Sequence, residues 1–256
     1  MTSVKVERRK EAAILTINRP EQRNAINHEV MDQLMKAIDK AESDPNVKYL
    51  VVTGGGDKVF CSGGDVKAFK ELYTEEQAYT MLRKMGDVLD RLFFCKKPTV
   101  ALLNGHAVGG GLELAIACDF RIAKKNIQVG FIQGSIGLTT GWGGSTYALT
   151  RMNHGEAMKM LMSADRYSDQ EALENGCLTY VTTDHSFQDD SYQYIENLLK
   201  RSPLILSTYK SYWLTSLDQN LIRDRVEEEI RSCAILWATE EHHQAVATFL
   251  NKNGSR

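Results

Sequence analysis

Apolar and polar positions change period along the chain, and each change predicts an element. Apolar-rich runs at residues 4–7 and 13–18, parted by the charged turn 8–11, read as two paired strands. Between residues 28 and 41, Val30, Leu34, Ile38 and Ala41 recur at helical spacing, with Asn27 placed to cap the first turn. "KYLVVTGGG" is a short apolar strand running into a glycine turn, "PTVALLNG" repeats that layout, and "CDFRIAKKN" supplies a further strand. Strands alternating with helices predict an α/β fold with parallel pairing.

From residue 186 onward the pattern is helical, over 186–200, 203–217, 220–237 and 240–251, with Pro203 suited to a helix's first turn. The expected organisation is a core over residues 1–185 and a helical C-terminal region over 186–256, packing on the core or on a second subunit. Glu227, Glu228 and Glu229 read as a solvated helix face. Trp213 and Trp237 are expected to pack a core or an interface. His242 and His243, which lack metal-ligand spacing, read as an exposed face.

Composition narrows the class. The 256 residues are 43% hydrophobic and 25% charged, with a formal charge of −2. Such a balance suits a soluble protein with a large core, and favours neither nucleic acid nor an anionic membrane as partner. Five cysteines without a CxxC pair argue against a disulfide framework and a zinc site, so buried free thiols are expected. The first twenty residues carry charges where a signal peptide needs none, and no stretch has the length of a membrane span. A cytoplasmic protein without a metal is the expectation.

Most of the 19 glycines lie between Gly54 and Gly144, which places tight turns, and the candidate site, in that third of the chain. Two glycine turns follow short strands, "GGGDKVFCSGGDV" and "GHAVGGGLE", and neither matches a phosphate-binding loop. A helix starting near Gly110 would point its first, unpartnered amides at a developing oxyanion. A second donor would come from the turn at Ser62 to Gly64. Glu113, three residues after Gly110, falls on the same helix face and within reach of the carbon beside that oxygen. Two amides on an oxygen and one acid at the adjacent carbon are suited to forming an enolate. Asp65 is read first as the cap of the helix that starts at Val66.

Taken together, "INRPEQRNAIN", "VVTGGGDKVFCSGGDV", "GHAVGGGLELAIACDFRIA" and "GWGGS" resemble the crotonase superfamily, the enoyl-CoA hydratases and isomerases. The likeness spans essentially the whole chain. It implies a crotonase-like spiral of ββα turns with a C-terminal helical trimerisation region, and a homotrimer or dimer of trimers. It also implies an acyl-CoA thioester substrate, with CoA entering only as part of that substrate and no separate cofactor. Its oxyanion hole falls on the amides of Ser62 and Gly110. Its CoA-binding loops fall on Arg23 and Ala25 and on Ser62, Gly64, Asp65 and Val66. Trp142 in "GWGGS" is expected to line the pocket, as the neutral wall a decarboxylase would favour.

One departure bears on the chemistry. Hydratases of the family carry a second glutamate in a G-x-P-E-x-x-x-G stretch. The corresponding residues here run from Gly130 to Gly137, with Ile132 for the proline and Gln133 for the glutamate, and no acid occurs from residue 120 to 155. An amide positions water but does not exchange a proton near neutral pH. Losing one proton-transfer group costs about 10²–10⁴ in rate. Three one-acid reactions stay open: isomerisation, decarboxylation of a malonyl-type thioester, and slow hydration. The rival outside catalysis is an acyl-CoA-binding protein on the same fold.

Overall fold

The hairpin forms where the pattern changes predict it. β1 (Val4–Arg9) and β2 (Ala12–Ile17) pair antiparallel, with Val4 opposite Ile17. The computed structural model describes residues 2–183 and 186–254. α1 (His28–Ser43) buries Val30, Met31, Leu34, Ala37, Ile38 and Ala41 along one face. The Asn27 side chain accepts from the Val30 amide at 3.0 Å, satisfying one of the helix's free donors. Asn27→Ala is expected to cost about 1 kcal/mol, seen as a lower denaturation midpoint at constant slope; an unmoved midpoint would make the cap dispensable.

The chain then winds in ββα turns. β3 (Tyr49–Gly54) and β4 (Val59–Cys61) lead to α2 (Val66–Phe69) and α3 (Glu75–Phe93). β5 (Thr99–Leu103) and β6 (His106–Val108) lead to α4 (Gly110–Ala117), and β7 (Phe120–Ala123) and β8 (Gln128–Gly130) to a 3-10 turn (Ile132–Ile136) and α5 (Gly144–Arg151). α6 (His154–Ser163), β9 (Tyr167–Ser168), α7 (Asp169–Glu174) and β10 (Tyr180–Val181) follow. The first strand of each turn joins a six-stranded sheet of order β1-β2-β3-β5-β7-β10, the second a four-stranded sheet of order β4-β6-β8-β9. The β1–β2 and β8–β9 pairs are antiparallel, and the remaining neighbours are parallel.

Both faces of the larger sheet are covered, which is why its strands read as unbroken apolar runs. Leu15, Ile17, Leu50, Val52, Ala101 and Leu103 face the main core. On the other face Ile14, Val51, Val100 and Ile122 pack against Tyr192 and Ile195 of α8 (Phe187–Leu198) and its C-cap Leu199. α9 (Pro203–Ser216), α10 (Gln219–Trp237) and α11 (Glu240–Gly254) complete the chain. α10 lays Ile222, Val226, Ile230, Cys233 and Ala234 into the main core. α9 is held by Lys210, which with Arg151 pairs with the half-buried Asp119 just before β7. The boundary expected between residues 185 and 186 adjoins residues 184 and 185, which lie outside the described residues. All five cysteines are free and buried. Among the described residues no helix is long and apolar enough to cross a membrane.

The acidic run of α10 is not a uniformly solvated face. Glu228 is exposed. Glu227, however, accepts from the Tyr79 hydroxyl at 2.9 Å and pairs with Arg231 and Arg83. Glu229 turns inward to a glycine-rich turn, where it accepts from the Gly143, Ser145 and Thr146 amides.

Candidate active site

Three glycines place the start of α4, each for a different reason. Gly109 adopts φ 56°, a left-handed conformation that favours glycine. A Cβ on Gly110 would lie 2.1 Å from the Trp142 ring, and one on Gly111 would lie 2.0 Å from the Cys61 carbonyl oxygen. The space beside Gly110, expected to admit a substrate carbonyl, is thus filled by indole, and the glycine lets α4 close on Trp142. Its amide nevertheless stands at the first turn of α4, where no intrahelical acceptor exists.

The turn after β4 packs against that amide. Gly63 has φ 94°, and a Cβ there would lie 3.0 Å from the Gly110 nitrogen. Within this turn the Ser62 amide donates to the Arg23 carbonyl at 3.2 Å, so the oxyanion role expected of it is already taken. The Ile26 amide donates to Gly63, and the Asp65 amide donates to Ile26, both at 2.9 Å. In such a parallel bridge the residue between the two bonds, Gly64, turns its own amide to the opposite side. Gly64 replaces Ser62 as the donor this geometry leaves free.

Glu113 is buried, 2% exposed, and is held by a turn of the main chain. One carboxylate oxygen accepts from the Trp142 amide at 2.9 Å and the Gly144 amide at 3.0 Å. The other accepts from the Gln133 side-chain amide at 2.7 Å. The cause lies in α5, whose N-cap is Gly143 and has no side chain to satisfy the first amides. Two distant glutamates serve instead, Glu113 for Gly144 and Glu229 for Ser145 and Thr146. Glycine at 144 is required, since a Cβ would lie 2.4 Å from the Glu113 Cγ. Burial, then the nearby charge of Glu229, push the Glu113 carboxyl up to about 8 against the pull of these amides.

A cavity of about 570 Å³ opens onto this group. It brings together the predicted Ser62, Gly64, Val66, Gly110, Glu113, Gln133 and Trp142. Arg23, Ala25 and Asp65 do not line it. Arg23 is exposed, and the Ala25 carbonyl accepts from Arg19 at 2.5 Å. Asp65 caps α2 through the Ala68 amide and pairs with Arg19 at 2.8 Å. Gln133 lines the cavity, and while its side-chain nitrogen meets Glu113 its Oε1 is buried without a hydrogen-bond partner.

Sequence reasoning missed the wall formed by α11. His242 is not on an exposed face: it is 2% exposed, its Nδ1 meets the Ile136 carbonyl at 2.9 Å, and its ring tilts against Trp237. Trp237 donates to the Leu72 carbonyl at 2.9 Å, and both line the cavity. Glu229 was missed as well. The available signal was the "GWGG" run, a helix start with no capping side chain of its own.

Comparisons with known proteins agree with this fold. The Enoyl-CoA hydratase/isomerase family profile matches residues 7–255. The Short-chain-enoyl-CoA hydratase of Clostridium acetobutylicum is 28% identical over 98% of this chain and 96% of its own. The (E)-benzylidenesuccinyl-CoA hydratase of Thauera aromatica is 34% identical over 93% of this chain and 91% of its own. The crystal structure of carnitinyl-CoA hydratase from Mycobacterium avium superposes with a TM-score of 0.85 at 30% identity, covering 98% of this chain and 97% of that one. A ββα spiral, a cavity built on its glycine turns and a family match along nearly the whole length lead to one conclusion: the chain is an enzyme of the enoyl-CoA hydratase/isomerase family, acting on acyl-CoA.

Proposed function

We propose that the protein forms an enolate from an acyl-CoA thioester, with the thioester oxygen on the Gly64 and Gly110 amides and Glu113 moving the α-proton. The observation that carries this reading is the buried Glu113 carboxyl, placed in the cavity three residues beyond the free amide of Gly110. Preorganised amides aimed at developing negative charge are worth about 10²–10³ in rate per donor. With Gln133 where a second acid would stand, Glu113 is the group that exchanges a proton at this end of the cavity. Taking a proton from C2 of a 3-enoyl thioester and returning it to C4 needs only that one group, so isomerisation is the net reaction supported best. CoA is carried in by the substrate, and no other cofactor is invoked.

A second reading is slow hydration, favoured by Gln133 in the cavity wall against Glu113, where a side-chain amide suits the positioning of an attacking water. Incubation with crotonyl-, 3-enoyl- and methylmalonyl-CoA, with mass spectrometry of the products, separates these chemistries from decarboxylation. Absence of any product, with the esters still bound, would leave a binding protein and remove the enzymatic reading.

The pH dependence has a definite sign. Proton abstraction needs ionised Glu113, a form that grows tenfold per unit below about 8 and then saturates. Isomerase kcat/KM should therefore rise to a plateau near pH 8. A decarboxylase, which uses the protonated form to quench the enolate, would lose rate above that pH.

The α9 face is assigned to contact between copies. Leu204, Ile205, Tyr209 and Tyr212 stand 44–75% exposed on one helix, an apolar surface suited to the trimer or dimer of trimers that the family resemblance implies. Light scattering showing a monomer would contradict it.

A further inference from the structure

Residues 141–146 form a turn whose amides divide between two carboxylates. Trp142 and Gly144 donate to Glu113, from the cavity side. Gly143 donates to Glu229 at 3.1 Å, Ser145 at 3.3 Å and Thr146 at 3.0 Å, from the α10 side. The Ser145 and Thr146 hydroxyls add two more donors, at 2.6 and 2.9 Å. Five donors converge on one side chain that takes no part in lining the cavity.

We propose that Glu229 is a positioning residue for proton transfer: its carboxylate clamps this turn from behind, aims the Trp142 and Gly144 amides at Glu113, and sets a second negative charge behind the reacting acid. The proposal rests on the reading of Glu113 as the proton-transfer group. It goes beyond that reading by giving α10, through a side chain remote from substrate, control over when the acid ionises. Like charges disfavour each other's ionised forms at close range. This agrees with the Glu229 charge standing second only to burial in raising the Glu113 carboxyl. The titratable groups facing Glu113 are Glu229 and Cys233 of α10, and burial pushes the Cys233 thiol up, so it stays neutral. Around the cavity, Lys70, Tyr73, Arg166, His242 and His243 are the remaining charged or titratable side chains among the described residues.

The test reads Glu113 itself. In protein labelled with ¹³C at glutamate side-chain carboxyls, the Glu113 resonance is the one absent from Glu113→Gln. Its midpoint in the wild type should lie near pH 8. Glu229→Gln, which removes the charge but keeps most of the hydrogen bonds, should lower that midpoint by about one unit and move the kcat/KM limb with it. Glu229→Asp keeps the charge on a shorter arm. It should retain the high midpoint and lose turnover, and it carries the test should the first variant not fold. A wild-type midpoint near the ordinary glutamate value overturns the proposal, as does one unmoved in Glu229→Gln or lowered a full unit in Glu229→Asp. A uniform fall in turnover with no change in midpoint would leave Glu229 a structural brace only. These outcomes are distinct from failure of the Glu113 assignment, which would appear as unchanged turnover in Glu113→Gln.

Discussion

Gln133→Glu is expected to raise the rate of crotonyl-CoA hydration by about 10²–10⁴, the usual worth of one proton-transfer group. Addition of water to an enoyl thioester needs a base for the water and an acid for the α-carbon. Glu113 alone must serve both. The Gln133 side-chain nitrogen lies 2.7 Å from Glu113, so a carboxyl in its place would share a hydrogen with that acid. Two carboxyls at such range do not both ionise near neutrality, and the pair would supply one base and one acid. Initial rates on crotonyl-CoA check the result. An unchanged rate in a folded variant would show that hydration is limited by something other than the missing acid.

Glu113→Gln should do the opposite to catalysis and leave the fold stronger at alkaline pH. Turnover is expected to fall by at least about 10²–10⁴, while binding of the CoA ester persists. Stability follows from linkage. The folded carboxyl titrates at about 8, above the ordinary 4.5, so between those values the unfolded chain releases a proton that the folded protein keeps. Unfolding is therefore favoured progressively as pH rises from about 4.5 to 8, and the loss is complete above 8. The variant lacks this slope and should gain on the order of 5 kcal/mol relative to the wild type by pH 8. The introduced amide keeps an oxygen for the Trp142 and Gly144 amides; its nitrogen faces the Gln133 side-chain nitrogen, so the Gln133 amide must turn over to present its unpartnered Oε1 as acceptor. Denaturant midpoints from pH 5 to 9 read the effect; parallel curves for the two proteins would contradict the buried-acid account.

Much of the fold was legible because its signals are local. The period of Val30, Leu34, Ile38 and Ala41, the Asn27 cap and the unbroken apolar runs of β3 and β5 each arise from contacts the neighbouring sequence specifies. The heart of the site was legible for a similar reason: Gly110 and Glu113 share one short helix. What was not legible depends on distant partners. Whether Ser62 or Gly64 offers the free amide is decided by Arg23 and Ile26, nearly forty residues upstream. Glu229 looked solvated because two acids precede it, and only the bare N-terminus of α5 draws it inward. His242 is buried because α11 folds back over Ile136, which no local pattern announces.

The central claim is that backbone donors at Gly64 and Gly110 polarise the thioester carbonyl while Glu113 handles the adjacent carbon. The most direct measurement is the infrared stretch of that carbonyl, isolated by ¹³C substitution, for crotonyl-CoA bound to the Glu113→Gln variant. Two amides on the oxygen weaken the bond and predict a clear shift to lower frequency than in free substrate. A carbonyl that absorbs in the complex where it absorbs in water would contradict the account.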